Sequence, residues 1–393
     1  MDFEFDSRER AFREDVRAFL EQELPAWWRT MFADDDRVIP VTREICQKLA
    51  ARGWLTITWP DEYGGSAGAT WDQVILREEM WAHGEPRGPQ YMNLNYIGPM
   101  IMRFGTPEQK SRFLKPMAAG TVIWTQGFSE PEAGSDLASL RTTACQVDGG
   151  FVINGQKIWN SYADSPADWC LLLARTDPDA PKHRGISVFL VDMQTPGITV
   201  RPIDSMAGPR DINELFFDDV FVPNDCRLGD LNDGWPMVMT GLAFERVGIA
   251  RYARAARIIE ILIDYARTEL DALTEPEVRF ERRQQLAELY CHCEAARLLN
   301  YYAISQQADG QVQSVEASLA RIHNTLLEQQ VGHVGMQLLG MGAQLTDEDP
   351  GAPLEGLLAY EWLHNIPATI EGGSLEIQKD IISQRGLGLP RSR

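Results

Sequence analysis

The chain has 393 residues, of which 44% are hydrophobic, so it is long enough for two or three domains with a substantial core. Its 57 acidic and 37 basic residues give a formal net charge of −20. This balance argues against nonspecific binding to nucleic acid or to an anionic membrane, because contacts to phosphates need clustered lysine and arginine. It still allows one phosphorylated ligand in a locally basic pocket.

The first twenty residues are rich in charge and contain no apolar run, so we expect no secretory signal. The sequence contains no uncharged apolar stretch of about 18 residues, so we expect no membrane span. Six cysteines in a chain of this length are typical of reduced thiols, and we expect a cytoplasmic protein. Cys291-His292-Cys293 suggests a metal site, but the sequence has no second pair of ligands at the spacing that a zinc site needs. We therefore predict a helix face there and no metal.

Residues 1–117 have helical periodicity and form the first predicted domain, which is all-α. Turn signals at Pro40, Asp61–Gly65 and Gly84–Pro89 separate the segments. Thr106-Pro107 is typical of a helix start, with the hydroxyl as N-cap and proline at the first helical position.

Residues 118–229 form the second predicted domain, which is all-β. Short β-rich runs punctuated by glycine and proline indicate strands. The runs are Val122–Trp124, Phe151–Ile153, Cys170–Ala174, Ile186–Val191 and Leu215–Val222.

Residues 230–393 form the third predicted domain, in which helical periodicity returns. One apolar stripe runs from Val247 to Tyr265, while Arg251, Arg254 and Arg257 lie largely off it and are expected on a solvated face. Long helical stretches follow at about Arg283–Ala308 and Ser314–Gly340. Composition and periodicity alone thus give α and β structure in separate blocks.

Two sequence motifs suggest a site for a planar ligand. TQGFSEPEAGSD (Thr125–Asp136) is a loop of small residues and hydroxyls, and NGQKIWNSY (Asn154–Tyr162) brings a tryptophan and a serine onto what should be the neighbouring strand. Small residues let a ligand approach the backbone closely, and an indole can cover its flat face. The alternative is a tight turn beside a core tryptophan.

EPEAGSD followed by GQKIWNS resembles the flavin-binding signature of the acyl-CoA dehydrogenase family, and the resemblance runs from near Phe5 to the LGLP at Leu387–Pro390. It implies an α+β fold with an N-terminal helical domain, a central β-barrel or sandwich domain and a C-terminal four-helix bundle. It further implies FAD as cofactor and the oxidation of an acyl-CoA to a trans-2-enoyl-CoA. In such a reaction the β-hydrogen leaves as hydride to the flavin, which an electron-transferring flavoprotein then reoxidises.

The resemblance assigns roles to residues of both motifs. Gln126, Phe128 and Ser129 would contact flavin, Trp159 would pack near the isoalloxazine, and Ser161 would hydrogen-bond near its reactive nitrogen. The C-terminal residues assigned to the cofactor are Gly373, Ser374, Glu376, Gln337 and Gly340. Ser135 would touch the acyl-CoA. The alternatives are a core aromatic at Trp159 and a turn-capping hydroxyl at Ser135.

Removal of the proton next to a thioester needs a positioned carboxylate. Many family members carry it in a C-terminal YEGT-like motif, but the register here places Gly372 at that position and Glu371 one residue early. The backbone N–H of Gly372 could still donate to the thioester carbonyl. The isovaleryl- and long-chain-type members instead carry the base in an LDLER-like helical segment, which here reads GLAFER (Gly241–Arg246).

Glu245 is therefore the predicted base, and Glu371 is the alternative. The mostly apolar neighbours of Glu245 would desolvate its carboxylate and raise its pKa. The competing interpretation is a surface or ion-paired glutamate. Ala243 and Arg246 are assigned to substrate binding, the arginine near bound CoA.

Two family elements that complete a flavin site are altered. The RxxFG-like element is replaced by Thr268–Glu277, which lacks Phe-Gly and adds acid, and QxLGG is only partly kept, with Met341 at a glycine position. The GGS-x-EIQ ending and the LGLP tail look like actinobacterial members that act on CoA esters of sterol side chains and form mixed tetramers. We therefore predict a homo- or heterotetramer, in which a partner chain would supply the missing arginine.

Three functions remain open at the sequence level. The first is a flavin-dependent acyl-CoA dehydrogenase, and the second is a non-catalytic or half-site subunit of a heteromeric enzyme. The third is a relative that uses oxygen as an oxidase or hydroxylase. A DNA-binding relative does not fit the net charge. The acyl group is not fixed, although Gly372-Gly373 could make room for a branched or polycyclic chain.

Overall fold

A computed structural model describes residues 4–31, 33, 35–164, 167–208, 212–248, 250–270, 275–308 and 314–390. The side chains of residues 243–248, 307, 308 and 314 lie outside this description. The elements follow the order helical, then β, then helical, so the predicted arrangement of blocks is confirmed.

Within the described residues, five α-helices precede the sheet: α1 (Ser7–Glu23), α2 (Val38–Ala51), α3 (Thr70–Ala82), α4 (Gly98–Phe104) and α5 (Pro107–Ala118). The predicted start of α5 is confirmed. The Thr106 hydroxyl accepts from the Gln109 N–H at 3.2 Å, and the Gln109 side chain accepts from the Thr106 N–H at 3.0 Å. This reciprocal capping box satisfies two of the donors that a helix N-terminus leaves unpaired.

In the part of the chain that the structure describes, eight strands form one sheet: β1 (Trp124–Gly127), β2 (Thr143–Val147), β3 (Gly150–Ser161), β4 (Trp169–Arg175), β5 (Ile186–Asp192), β6 (Ile198–Pro202), β7 (Ile212–Pro223) and β8 (Arg227–Leu228). The strand order is β6-β7-β3-β2-β4-β5-β8, and β1 pairs in parallel with β4. Alternate residues of β3, β4, β5 and β7 meet in one apolar core, in which the rings of Phe151 and Phe189 are 5.0 Å apart.

Among the described residues after the sheet there are six α-helices: α6 (Gly234–Gly248), α7 (Arg251–Tyr265), α8 (Pro276–Ala308), α9 (Ser314–Leu339), α10 (Leu357–His364) and α11 (Leu375–Ile381). Helices α7, α8 and α9 pack on one another, and α10 and α11 pack on α9. The stripe expected from Val247 to Tyr265 is divided between α6 and α7.

The predicted solvated face of α7 is wrong for two of its three arginines. The side chains of Arg251 and Arg254 are only 12% exposed and form ion pairs with Glu328 and Glu361, whereas Arg257 is 52% exposed. A guanidinium beside a buried carboxylate can be covered because the pair neutralises both charges.

The described residues group into two compact units. The first, called here the C-terminal unit, comprises Met1–Arg13, Arg77–Gly84 and Arg246–Arg393, and the second, the β unit, comprises Glu14–Leu76 and Glu85–Glu245. The boundaries 117/118 and 229/230 stay a prediction. No helix among the described residues is long and apolar enough to cross a membrane.

Candidate active site

A buried ion pair holds the loop that follows β1 against β3. Lys157 is fully buried, and its Nζ lies 2.8 Å from Glu130 Oε1 and donates to the Phe128 carbonyl at 3.0 Å. Glu130 also accepts from the backbone N–H groups of Arg141 and Thr142. These bonds tie both ends of the loop to one buried centre and so fix its path.

The two partners of this pair respond differently to burial. Burial would raise the pKa of Glu130, but the attraction of Lys157 and the N–H donors outweigh it and leave that pKa below the ordinary value. Burial also lowers the pKa of Lys157, against the attraction of Glu130. The carboxylate is therefore the partner that the surroundings keep charged.

Trp159 is exposed on strained backbone, so it is not the core aromatic of the alternative interpretation. Its side chain lies on β3 and is 55% exposed, and its φ is +64°. The register against β7 shifts between Lys157 and Asn160, so one extra residue bulges out of β3 here. A bulky residue at positive φ is an outlier that often marks a functional site, and a large exposed ring can cover a planar ligand.

The two sequence motifs lie next to each other, although their strands are not paired in the ladder. β1 pairs with β4, whereas β3 pairs with β2 and β7. The Asn160 amide donates to the Gln126 carbonyl, and the Thr125 hydroxyl donates to the Ser161 carbonyl at 2.7 Å. The Ile158 N–H also donates to the Ser129 carbonyl at 3.0 Å, so the second motif neighbours the first through both side chains and backbone.

Gln126 presents its amide in one orientation. Tyr96 Oη donates to Gln126 Oε1 at 2.5 Å, which leaves the Gln126 Nε2 hydrogens as donors for another group. Tyr96 is buried in a π-helical turn, Asn93–Ile97. Short π-helical turns occur frequently at functional sites. Neither sequence motif points to Tyr96, which lies 30 residues before Gln126 in the chain.

The remaining predicted contacts of the β unit lie on the same loop and strand. Phe128 is buried, Ser129 and Ser161 are half-buried, and Ser135 is exposed. In the part of the chain that the structure describes, no hydrogen bond involves the hydroxyls of these three serines. Three free hydroxyls, the Gln126 amide donors and an exposed indole fit the ring edge and face of a flavin. The chemistry of these residues therefore fits FAD.

The second group of predicted residues lies in the C-terminal unit. Gly372 and Gly373 have φ of +60° and +95°, values that favour glycine, and the fully buried Gln378 donates to the Gly373 carbonyl at 3.1 Å. Ser374 caps α11, on which Glu376 lies in the first turn. A Cβ on Gly372 would lie 3.0 Å from Arg321 Nη2, and one on Gly373 would lie 2.7 Å from Gln378 Nε2. The two glycines therefore make room for these side chains and not, as the sequence suggested, for a branched or polycyclic acyl chain.

Glu371 is held by arginines. Its carboxylate forms an ion pair with Arg251, which also lies 2.9 Å from the buried Glu328. Partial burial would raise the pKa of Glu371, but Arg251 and Arg321 outweigh it and hold that pKa below the ordinary value. A carboxylate stabilised in this way is a weaker base, so this geometry favours the prediction that ranks Glu371 second.

The predicted base and its neighbours fall partly outside the described residues. The backbone of Ala243, Glu245 and Arg246 runs within α6, but their side chains are not described. Their roles therefore stay predictions.

The altered family elements are exposed. Gln337 Nε2 lies 3.0 Å from His333 Nε2, Gly340 has a φ of +60°, and Met341 is 79% exposed. Residues 271–274 of the replaced element lie outside the described residues, while Phe280 on α8 is 65% exposed.

The Cys-His-Cys segment lies on α8, as predicted. The Cys293 thiol donates to the Tyr252 carbonyl at 3.4 Å, and burial raises its pKa to about 12. His292 Nδ1 lies 3.0 Å from Gln330 Oε1. Among the described residues no group of three metal-ligating side chains comes together.

Comparison with known proteins agrees with this geometry over almost the whole chain. Family models match for the acyl-CoA dehydrogenase N-terminal domain over residues 6–121, the middle domain over 125–220 and the C-terminal domain over 232–387. Acyl-CoA dehydrogenase FadE26 of Mycobacterium tuberculosis is 35% identical over 391 residues, covering 95% of this chain and 97% of that protein. IpdE1 of the same organism, also an acyl-CoA dehydrogenase, is 35% identical over 353 residues, covering 88% and 87%.

Solved structures give the same result. The Tcur3481-Tcur3483 steroid ACAD superposes with a TM-score of 0.90 at 31% identity, covering 100% of both chains. The ChsE4-ChsE5 complex from Mycobacterium tuberculosis gives a TM-score of 0.88 at 34% identity, again covering 100% of both. The predicted fold class is thereby confirmed. The chain belongs to the acyl-CoA dehydrogenase family, whose members are FAD-dependent oxidoreductases that dehydrogenate acyl-CoA thioesters.

Proposed function

We propose that this chain dehydrogenates a CoA thioester with a bulky, branched or steroid-side-chain acyl group to its trans-2-enoyl-CoA. The observation that carries the proposal is Trp159, exposed at positive φ beside hydroxyls that have no partner in the described chain. The acyl class is supported by the steroid ACAD among its structural neighbours.

In the proposed reaction Glu245 takes the α-proton. The Gly372 N–H donates to the thioester oxygen and stabilises the charge that develops there. Bound FAD would supply the hydride acceptor for the β-hydrogen. Gln126, Ser129 and Ser161 would hold the ring edge, and Phe128 and Trp159 would cover the ring. Ser135, Ala243 and Arg246 would contact the acyl-CoA. The cofactor contacts would be completed by Gly373, Ser374, Glu376, Gln337 and Gly340.

The test of the base compares two glutamine variants. Flavin bleaching is followed anaerobically after adding butyryl-, isovaleryl-, octanoyl- and a steroid-carboxylate CoA thioester to the purified holoprotein. We expect Glu245→Gln to slow bleaching about 100- to 10,000-fold, the usual contribution of a general base. Glu371→Gln is the matched control and should change the rate far less. If Glu371→Gln abolishes bleaching while Glu245→Gln does not, the base is assigned wrongly.

The acyl class is read from the same panel. The steroid-carboxylate or branched thioester should give the highest ratio of bleaching rate to half-saturating concentration. A clear preference for butyryl- or octanoyl-CoA would contradict the bulky-acyl proposal and leave the dehydrogenation itself intact.

We further propose that this chain works in a tetramer with a homologous second chain that supplies an arginine to FAD. Two of its structural neighbours, the Tcur3481-Tcur3483 steroid ACAD and the ChsE4-ChsE5 complex, are named for two components each. On this chain the region of the missing element carries exposed acid at Glu269, Glu275 and Glu277, which disfavours a pyrophosphate. A chain that lacks part of its flavin site can still supply Glu245 as the base, so the half-site role and catalysis by this chain are compatible.

The partner proposal is tested by flavin content. The chain purified alone should bind FAD weakly, and co-expression with a homologous chain encoded nearby should restore tight binding in a tetramer seen by light scattering. Full, tight FAD in the lone chain would refute the proposal. Electron-transferring flavoprotein should reoxidise the reduced enzyme, and oxygen consumption during turnover would instead support the oxidase reading.

A further inference from the structure

Arg321 contacts the backbone that leads into Gly372. It lies on α9 with 6% of its surface exposed, and its Nη2 donates to the Ala368 carbonyl at 3.3 Å and to the Glu371 carbonyl. Ala368 belongs to a short 3-10 turn, Pro367–Thr369, that ends just before the glycine pair. One buried cation thus holds two successive parts of this turn.

The Glu371 carbonyl and the Gly372 N–H belong to the same peptide unit. In a planar trans peptide these two groups point in opposite directions. Because Arg321 holds the carbonyl on its own side, the N–H is turned to the other side of the peptide. The position also needs glycine, since a Cβ on Gly372 would lie 3.0 Å from Arg321 Nη2 at a φ of +60°.

The charge of Arg321 affects the same N–H. A cation that accepts electron density from a carbonyl polarises the whole peptide, and polarised hydrogen-bond chains strengthen one another. The side chain of Glu371 is fixed separately by Arg251, which also pairs with the buried Glu328. The peptide is therefore held at its oxygen and through the side chain that precedes it.

We propose that Arg321 is a positioning residue that orients and polarises the Glu371–Gly372 peptide, so that the Gly372 N–H stabilises the enolate oxygen of the bound thioester. This inference rests on the proposed function, because it takes Gly372 as the donor. It also gives Glu371 a role other than that of the base.

The test measures how readily the holoenzyme ionises a bound probe. Acetoacetyl-CoA is a β-oxo thioester whose α-carbon loses a proton to give an enolate that absorbs in the ultraviolet. We expect Arg321→Gln to raise the pH at which half of the bound probe is enolate by about one unit, a tenfold loss. Oxidation of a substrate thioester should slow about 100-fold, the usual effect of losing one such donor. Arg321→Lys should lie between, because it keeps the positive charge but its shorter side chain lacks the planar guanidinium that places Nη2 at both carbonyls.

Arg254→Gln is the matched control, because the Arg254 side chain is only 12% exposed in the same unit but pairs with Glu361. It should leave the ionisation of the bound probe unchanged. If Arg321→Gln ionises the probe as the unmodified enzyme does, the inference fails and the proposed function stands. If the unmodified enzyme fails to ionise the probe, the proposed function itself fails.

A second measurement decides the case in which Arg321→Gln does not fold. The carbonyl stretch of ¹³C-labelled acetoacetyl-CoA reports the strength of the donor directly. Arg321→Lys should move this stretch toward that of the free probe. An unchanged stretch in Arg321→Lys would overturn the proposal.

Discussion

The backbone conformation of Trp159 costs free energy, and nothing seen in the protein alone compensates for that cost. A non-glycine residue at positive φ costs about 1–3 kcal/mol, and the indole is exposed and so gains little from burial. Contact with a planar ligand would offset that cost. This combination of strain and exposure is the residue-scale reason for placing the flavin here.

Trp159→Gly should therefore have opposite effects on apoprotein and holoprotein. Glycine removes the strain, so the free energy of unfolding of the apoprotein should rise by about 1 kcal/mol. Loss of the ring should weaken FAD binding by about 0.5–1.5 kcal/mol, or roughly 2- to 13-fold. Thermal unfolding with and without added FAD measures both effects. A variant destabilised equally in both forms would show that the indole has only a structural role.

The sequence motif predicted which residues lie here but not how they are presented. Hydrophobic patterning cannot reveal a positive φ, and it gives a core position as the alternative for any tryptophan on a strand. The orientation of Gln126 also depends on Tyr96, which is 30 residues away in the chain.

At the scale of elements, the loop after β1 depends on one buried pair more than on its own sequence. Glu130 binds Lys157 and the backbone at Arg141 and Thr142, so a single carboxylate joins the loop to β3 and to the segment before β2. Breaking a buried pair from one side leaves an uncompensated charge.

Lys157→Met should destabilise the β unit by about 3–5 kcal/mol and lower FAD affinity, because the loop loses its anchor. Chemical denaturation and FAD titration measure the two effects. The double variant Lys157→Met with Glu130→Gln should recover part of the stability, since no lone charge remains. Equal loss in the single and double variants would contradict this account.

The pH dependence of the same pair has a definite sign. The pKa of Glu130 is lowered by folding from an ordinary value of 4.5, so its stabilisation is fully present above that pH. This stabilisation is lost as the pH falls from 4.5 through the lower pKa that Glu130 has in the folded protein. On acidification, the unmodified protein should therefore begin to release FAD at a lower pH than the Glu130→Gln variant, which retains Lys157.

Element boundaries were predicted well where apolar residues are dense and poorly where they are not. The runs in β4, β5 and β7 were recognised, whereas the mostly exposed β6 carries no apolar run and the polar β2 alternates too weakly. The division between α6 and α7 near Ala250 could not be predicted from a proline, because the sequence has none there. The burial of Arg251 and Arg254 follows from acidic partners more than seventy residues along the chain.

At the scale of the whole molecule, the C-terminal unit contains pieces of the N-terminal sequence. Residues up to Arg13 and Arg77–Gly84 group with Arg246–Arg393. Glu78 and Tyr301 are 223 residues apart in sequence but their side chains are hydrogen-bonded. Periodicity is a local signal and cannot reveal such a pairing, although the family resemblance did give the order of the blocks.

Glu78 joins the separate segments of this unit through one carboxylate. It is 5% exposed, it lies 2.5 Å from Arg13 Nη2, and the hydroxyls of Tyr252 and Tyr301 each donate to it at 2.7 Å. Burial first, and then the nearby carboxylate, raises the pKa of both tyrosines, so both stay protonated donors. Replacement of Glu78 leaves two buried hydroxyls without this acceptor, and leaves the half-buried Arg13 with Glu79, 2.8 Å away, as its remaining carboxylate.

Glu78→Ala should therefore lower the free energy of unfolding by about 3–5 kcal/mol, whereas Tyr301→Phe, which removes one of several bonds, should cost about 1 kcal/mol. Denaturant titration of the FAD-free protein measures both. Glu288→Ala on the exposed face of α8 is the matched control and should have little effect. Because the carboxylate joins segments from both ends of the chain, Glu78→Ala should also free the N-terminal residues to proteases before the rest unfolds. If proteolysis of the variant starts elsewhere, the carboxylate does not fasten the N-terminal segment to this unit.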